Sequence, residues 1–341
     1  MKVARVTRNA IEIAAVLIVR NEERCIARCL NSVAPWVDRM VVLDTGSADG
    51  TVAIAQELGA EVHHLPWPES FAEARNEALR LADADWNLVI DADEWIIDGG
   101  EGLRAWCESA VDRLGAPCIH NQTEGGGVQF SWITRLVPRG VYYEGRVREQ
   151  FVSPLPRQRI ALAIGHDGDL APQLARKKDR YHPLLLADLA DRPDDAYLLY
   201  QVGKDAQMRG DDQTACEFYA QALDASPLDA NWRHDLVINT LHMFAHAGHV
   251  QAALTIAESE MPHWQRSPDF YFAMGDLFLK AATAEPQRAL DHWLPLAEGA
   301  WERCLVIGER PDLEGSVPGR GSLLAQHNLD LLRSQLATLA A

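Results

Sequence analysis

Four short apolar runs near the N-terminus restrict the architecture of this chain more than any other feature. Ile13–Val19 reads IAAVLIV, continuous and partly β-branched, the pattern of a strand buried on both faces. After Arg20-Asn21-Glu22 the apolar spacing changes to Ile26, Cys29, Leu30 and Val33, which is helical. Met40–Leu43 predicts a second strand, and the turn-rich Thr45-Gly46-Ser47-Ala48-Asp49-Gly50 follows it. A helix carrying Ile54 and Leu58 stops at Gly59, and Glu61–His64 makes a short third strand. Phe71–Ala82 is helical, and Asn87–Ile90 forms a fourth strand that runs straight into Asp91-Ala92-Asp93. Strands alternating with helices at this spacing require parallel crossovers, so the fold class is α/β. From about Pro117 the pattern loosens. Val128–Ile133 and Ile160–Ile164 predict strands of an antiparallel extension, giving a mixed sheet, with Gly125-Gly126-Gly127 as a hairpin loop.

The second half has one period, that of helices. Asp195–Pro227 fits a tetratricopeptide unit when Gly203 takes the invariant small position, with Leu199, Val202, Ala206, Ala215, Tyr219, Ala222 and Pro227 on the remaining positions. The Gly210-Asp211-Asp212…Ala215 turn recurs as Gly248-His249-Val250…Ala253, and Met274-Gly275 restates the first-helix signal. The expected organisation is an α/β domain over 1–170, a linker helix over 171–192 and a helical repeat domain over 193–341.

Composition narrows the function. With 32 basic and 49 acidic residues the formal charge is −17, which argues against binding nucleic acid or an anionic membrane. An anionic ligand must then be held by local cations, a metal or backbone N–H groups. No run approaches the roughly 18 apolar residues of a membrane span, and no small-residue cleavage site follows Ile11–Val19. Six cysteines scattered at 25, 29, 107, 118, 216 and 304 make no disulfide framework, so the expected compartment is the cytoplasm.

The chemistry concentrates at strand ends. Ligands of an open α/β sheet bind beyond the carboxyl ends of its strands. Asp91 and Asp93 stand there one residue apart, and their mutual repulsion is relieved by a hard divalent cation completed by a diphosphate. Arg20-Asn21-Glu22 ends the first strand and Asp44 the second, while Arg75-Asn76 lies on the helix before the fourth. A carboxylate such as Asp44 can accept from a ribose hydroxyl or a base N–H, although an Asx-turn with Thr45-Gly46-Ser47 explains it equally well. Arginine can grip phosphate in a fork.

The segments VLIVRNEERCIARCLNSV, VVLDTGSADGT, FAEARNEAL and LVIDADEW resemble glycosyltransferase family 2, with its GT-A fold. They are most similar to a small bacterial branch with C-terminal tetratricopeptide repeats, which includes sublancin-type peptide glycosyltransferases and relatives of lipopolysaccharide-core transferases. The resemblance is dense over 11–95 and looser over about 130–227. It implies a nucleotide-sugar site of Arg20, Asn21, Glu22, Asp44, Arg75, Asp91, Ala92 and Arg135. Asp91 and Asp93, the D-x-D motif, would bracket Mn2+ or Mg2+ and the diphosphate. TRLVPRGVYYEGRVREQF is similar to the family's R-L-F…G-x-V-H-E block through Arg135, Gly145 and Glu149, but Arg148 stands where His is usual. His166-Asp167-Gly168 resembles the H-x-G-Y segment, with Asp169 replacing Tyr, and makes His166 a candidate third metal ligand. A lone histidine also reads as a hydrogen-bonded structural residue.

The expected reaction is inverting transfer of a sugar, with UDP-glucose or UDP-N-acetylglucosamine as the donor implied by the resemblance. The acceptor is expected to be a Ser, Thr or Cys side chain of a peptide or protein, with a glycan or lipopolysaccharide core as the alternative. Glu149 is the first candidate for the general base and Glu144 the second; Asp93 completes the catalytic set, with the metal stabilising the leaving group. Both glutamates also read as salt-bridge partners of Arg146 and Arg148. A homodimer through the helical domain is expected by family analogy. The competing reading is an inactive peptide-binding scaffold. His242 and His246 are four apart on a helix but lack a third ligand, and Cys25 with Cys29 reads as small core packing.

Overall fold

A computed structural model describes residues 11–110, 112–122, 127–168 and 171–340. The chain separates into two compact units, one up to Lys177 and one from Lys178.

The IAAVLIV run is β1 (Ile13–Val19), and its alternation feeds two cores. Ile13, Ala15, Leu17 and Val19 pack with Ile26, Cys29, Leu30 and Val33 of α1 (Ile26–Val33). Ala14 and Val16 pack on the other side with Ala72, Ala78, Leu79 and Ala82, which lie on the later helix Phe71–Ala82. Successive side chains of a strand point to opposite faces, so a strand covered twice must be apolar throughout. β2 (Arg39–Asp44), α2 (Thr51–Glu57) and β3 (Glu61–His64) continue the alternation. Then come α3 (Phe71–Ala82), capped by Ser70 Oγ accepting from Glu73 N at 3.2 Å, and β4 (Trp86–Val89). β1, β2, β3 and β4 are mutually parallel where they pair, in the order β3-β2-β1-β4.

Beyond β4 the sheet is mixed. β5 (Glu94–Asp98), α4 (Leu103–Ser109), β6 (Leu114–Gln122), β7 (Val128–Trp132), β8 (Leu136–Pro138), β9 (Tyr142–Glu144), β10 (Gln150–Val152) and β11 (Arg157–His166) follow in sequence. The spatial order continues β4-β8-β6-β11-β5, with β7 on β6 and a separate β9–β10 ribbon. The expected extension is therefore antiparallel only in part, because β6 and β11 run parallel. Pro117 lies inside β6, where it supplies no N–H, and the β11 ladder shifts register opposite it between Arg159 and Ala163. Of the Gly125-Gly126-Gly127 loop, 125 and 126 fall outside the described residues; β6 and β7 flank it as an antiparallel pair.

Helix α5 (Ala171–Asp191) leads into the second unit. There α6 (Ala196–Arg209) and α7 (Asp212–Ala225), α8 (Arg233–His246) and α9 (Val250–Glu260), and α10 (Pro268–Ala284) and α11 (Leu294–Ile307) form helical pairs, followed by α12 (Leu323–Ala340). The three pairs share one packing rule. Gly203, Thr240 and Gly275 hold the same position from the start of each first helix, as Tyr219, Ala257 and Trp301 do in each second helix. A Cβ on Gly203 would lie 2.5 Å from Tyr219 Cδ1, and one on Gly275 would lie 2.4 Å from Trp301 Nε1. Where the second helix carries Ala257, the first tolerates the larger Thr240. Gly210 and Gly248 end α6 and α8's turn with φ of +77° and +84°, which side-chain-bearing residues rarely adopt.

Candidate active site

The strand order reverses direction at β1, so the chain leaves β1, β2 and β4 around one crevice. The loops after β1 and β2 are stitched together on its wall. Asn21, held at φ 59°, accepts from Ala48 N at 2.8 Å through Oδ1 and donates its own N–H to Ser47 Oγ at 2.9 Å. Glu22 N donates to Thr51 Oγ1 at 2.7 Å, and Glu23 accepts from Gly50 N at 2.6 Å. Arg20 is exposed beside them.

Asp44, only 4% exposed, accepts from Ser47 N at 3.0 Å and Gly46 N at 3.2 Å, and His64 Nδ1 stands 3.3 Å away. Burial opposes its charge, but the bonds from Ser47, His64 and Gly46 outweigh it and hold the carboxyl below its usual range. Asp44 thus makes the Asx-type turn, and its ionised state is secured by that turn.

The D-x-D pair divides into two environments. Asp91 faces two buried arginines: Arg75 Nη2 donates to Oδ1 at 2.8 Å, and Arg135 Nη2 donates to Oδ2 at 3.0 Å. Burial works against ionisation, yet Arg75 and Arg135 hold the carboxyl far below its usual range. Arg135 also donates to Glu94 Oε1 at 2.5 Å, while Glu94 Oε2 accepts from Asp91 N at 2.9 Å. Burial, reinforced by the Asp91 charge and opposed by Arg135, pushes Glu94 above the usual carboxylate range. Arg75 Nε donates to Glu149 Oε1 at 2.5 Å. Its Nη1 is buried and has no partner among the described residues. Ala92 is buried between the two aspartates.

Asp93 turns to His166 instead, Oδ2 lying 3.7 Å from Nε2. β5 and β11 pair with His166 opposite Glu94, which brings the end of β11 to the D-x-D turn. Asn121 settles the ring. Its Nδ2 donates to Ser131 Oγ at 3.0 Å and Gln129 O at 3.3 Å, so its Oδ1 faces His166 Nδ1 at 2.9 Å. With Nδ1 donating there, the neutral tautomer would carry its lone pair on Nε2, the atom 3.7 Å from Asp93 Oδ2. A carboxylate facing an imidazole nitrogen suits Mn2+ better than the oxygen-seeking Mg2+, and either ion keeps several positions for water and phosphate oxygens.

The expected residues are thus not all used alike. Asp91, Asp93 and His166 do not form a three-ligand cluster, and no group of three or more metal-ligating side chains occurs among the described residues. Two guanidinium groups, those of Arg75 and Arg135, already supply positive charge beside Asp91. Glu149 pairs with Arg75 rather than with the neighbouring Arg146 or Arg148. Glu144 is exposed, whereas the adjacent Tyr143 is buried with Arg75 5.6 Å from its ring, so successive β9 side chains send Glu144 the other way. Sequence reasoning missed the roles of Glu94 and Asn121; the signal for Glu94 was a carboxylate directly after D-x-D at the head of the apolar Trp95-Ile96-Ile97, and Asn121 left none.

The Glycosyl transferase family 2 model matches residues 14–101. A TPR repeat-containing protein of Synechococcus elongatus is 32% identical over 263 residues, covering 71% of this chain and 64% of the relative. An uncharacterized glycosyltransferase of Rickettsia felis is 47% identical over 88 residues, covering 24% of this chain and 29% of the relative. The SPbeta prophage-derived glycosyltransferase SunS of Bacillus subtilis is 25% identical over 220 residues, covering 61% and 52%. The chain thus spans less than two thirds of the length of each. A solved glucosyl-3-phosphoglycerate synthase of Mycobacterium tuberculosis, in complex with Mn2+, UDP and glucosyl-3-phosphoglycerate, is 26% identical over 32% of this chain and 44% of that one, with a TM-score of 0.28.

Proposed function

We propose that this chain, which carries a glycosyl transferase family 2 domain, moves a sugar from a nucleotide diphosphate sugar to a polypeptide side chain with inversion at the anomeric carbon. The observation that carries the proposal is the opposition of Asp93 and His166 Nε2 at the rim of the β1–β4 crevice. Asp93 and His166 fit a divalent cation as ligands; bound there, Mn2+ or Mg2+ would supply positive charge for a departing diphosphate.

The protein's own groups divide the remaining work. Asp44, kept ionised by its turn, accepts from the nucleoside; Arg20 lies on the same rim. Arg75 Nη1, the buried donor left over, is suited to an oxygen of the donor sugar or its diphosphate. Asp91 acts through Arg75 and Arg135, fixing both guanidinium groups rather than binding metal. Glu149 takes the proton of the acceptor through Oε2, its Oε1 being held by Arg75. UDP-glucose and UDP-N-acetylglucosamine are the donors proposed.

The acceptor reading draws on the helical unit. A cleft of about 680 Å3 lies across its first helices, with Gln207, His242, Ala273, Asp276 and Lys280 in the lining; none of the crevice carboxylates lines it. Grooves on repeat arrays suit extended chains. The resemblance of the sequence motifs to sublancin-type peptide glycosyltransferases favours a peptide acceptor, and a homodimer is part of the same proposal. The test is a donor screen following release of nucleoside diphosphate, run with Mn2+ and with peptide or lipopolysaccharide-core acceptors. Acceptor-stimulated release with peptides supports the proposal. Stimulation only by the glycan acceptor replaces the substrate class, and silence with every donor overturns the activity.

A further inference from the structure

We propose that Asp167, clamped by Arg24 and Arg28, is a positioning residue that sets His166 against Asp93. The inference rests on the metal-site reading above. His166 is the last residue of β11, and β5, the strand beside it, ends the sheet. The ladder therefore stops where the two ligands meet, and the backbone contact beyond it, Asp167 N to Asp93 O, is a long 3.4 Å. Side chains take over. Arg24 grips Asp167 in a fork, Nη1 to Oδ2 at 3.1 Å and Nη2 to Oδ1 at 3.0 Å. Arg28 Nη2 adds a third bond to Oδ2 at 2.8 Å. Arg28 also lies over the Trp95 ring at 3.7 Å, and Trp95 packs on Gly165, where a Cβ would come within 2.4 Å of the ring. The start of α1 is thus fastened to Asp167 directly and to Trp95, which in turn packs on Gly165 on the other side of His166.

Magnitudes separate a positioning role from a stabilising one. The arginine side chains are 46% and 41% exposed but that of Asp167 is only 9% exposed, so unpairing it costs folding stability as well, and Mn2+ affinity is the readout that a purely structural role leaves unmoved. Groups that orient metal ligands typically govern affinity by about 10–100-fold. The experiment is Mn2+ titration of the full chain, with uridine diphosphate present, read by the electron spin resonance of free Mn2+. Its variants are Asp167→Asn and the double variant Arg24→Gln/Arg28→Gln, with Arg139→Gln as a control for the loss of an exposed arginine elsewhere on the chain. The inference predicts Mn2+ affinity about 10–100-fold weaker in the first two and unchanged in the control, measured at a temperature where the thermal midpoints show every variant folded. Wild-type affinity in both variants overturns it while leaving the metal site standing. A lower midpoint in both variants with unaltered Mn2+ affinity assigns the clamp to folding and also overturns it. A wild-type chain that takes up no Mn2+ removes the metal-site reading, and this inference with it.

Discussion

Replacing Arg135 with Met tests the electrostatic frame of the crevice. Arg135 is 8% exposed, and its Nη2 serves Asp91 and Glu94 at 3.0 and 2.5 Å. Burial would strip its proton, but Glu94 and Asp91 hold the charge on it. Arg135→Met leaves Asp91 with Arg75, whereas Glu94, 2% exposed, keeps only the Asp91 N–H. Removing one partner of a buried ion pair costs about 3–5 kcal/mol. Glu94 can limit that cost by taking a proton, because its carboxyl already lies above the usual range. A carboxyl whose folded pKa is raised destabilises the fold at high pH; that cost begins to fall as pH drops below the folded value and is gone below the unfolded one. The loss is therefore about 3 kcal/mol at pH 7.5 and smaller at pH 5. Glu94→Gln in the same chain should recover about 1.5–3 kcal/mol of it, the size of coupling expected between contacting groups. Urea unfolding of the full chain, followed by tryptophan fluorescence, reads these numbers. A loss below about 1 kcal/mol at pH 7.5, or one indifferent to pH and to Glu94→Gln, would refute the reasoning.

Other outcomes follow from the same geometry. Gly203→Ala drives a methyl into Tyr219 and should destabilise the helical unit by about 1–3 kcal/mol in thermal unfolding, with a neutral result counting against the close crossing. Burial pushes Asp276 up to about 6 from 3.8, against the pull of Arg320 and Lys280. Asp276→Asn should accordingly stabilise the chain by about 2 kcal/mol at pH 7.5, a gain that shrinks by more than half near pH 4.5. A gain independent of pH would mean that the carboxyl is not desolvated. Glu149→Gln should abolish transfer and leave donor affinity within about threefold, since Arg75 keeps an oxygen partner; wild-type turnover would remove Glu149 from the mechanism.

The elements that the sequence makes plain are those whose two faces are both buried or whose helical stripe is continuous. β1, β2, β4, α1 and α3 all follow from local period. Glu94–Asp98 is harder, because an edge strand packed on one side carries only a partial apolar pattern. Leu114–Gln122 is hidden by Pro117, which the β11 irregularity accommodates. The same limit applies to the site. Its residues are legible as types at strand ends, but their partners come from far along the chain: Arg135 reaches Asp91 across 44 positions and Glu149 reaches Arg75 across 74. Repulsion between Asp91 and Asp93 therefore reads from sequence as a demand for metal at both, whereas two arginines answer it at one. Gly203, by contrast, was readable because its requirement lies within a single helical pair.

Calorimetric titration of the full chain with UDP-glucose and UDP-N-acetylglucosamine, with and without Mn2+, tests the central claim most directly when repeated on Asp93→Asn. The account predicts binding that Mn2+ strengthens in the wild type, with the Mn2+-dependent part lost in the variant. Absence of binding to either sugar nucleotide under both conditions, or Mn2+-dependent binding undiminished by Asp93→Asn, would contradict it.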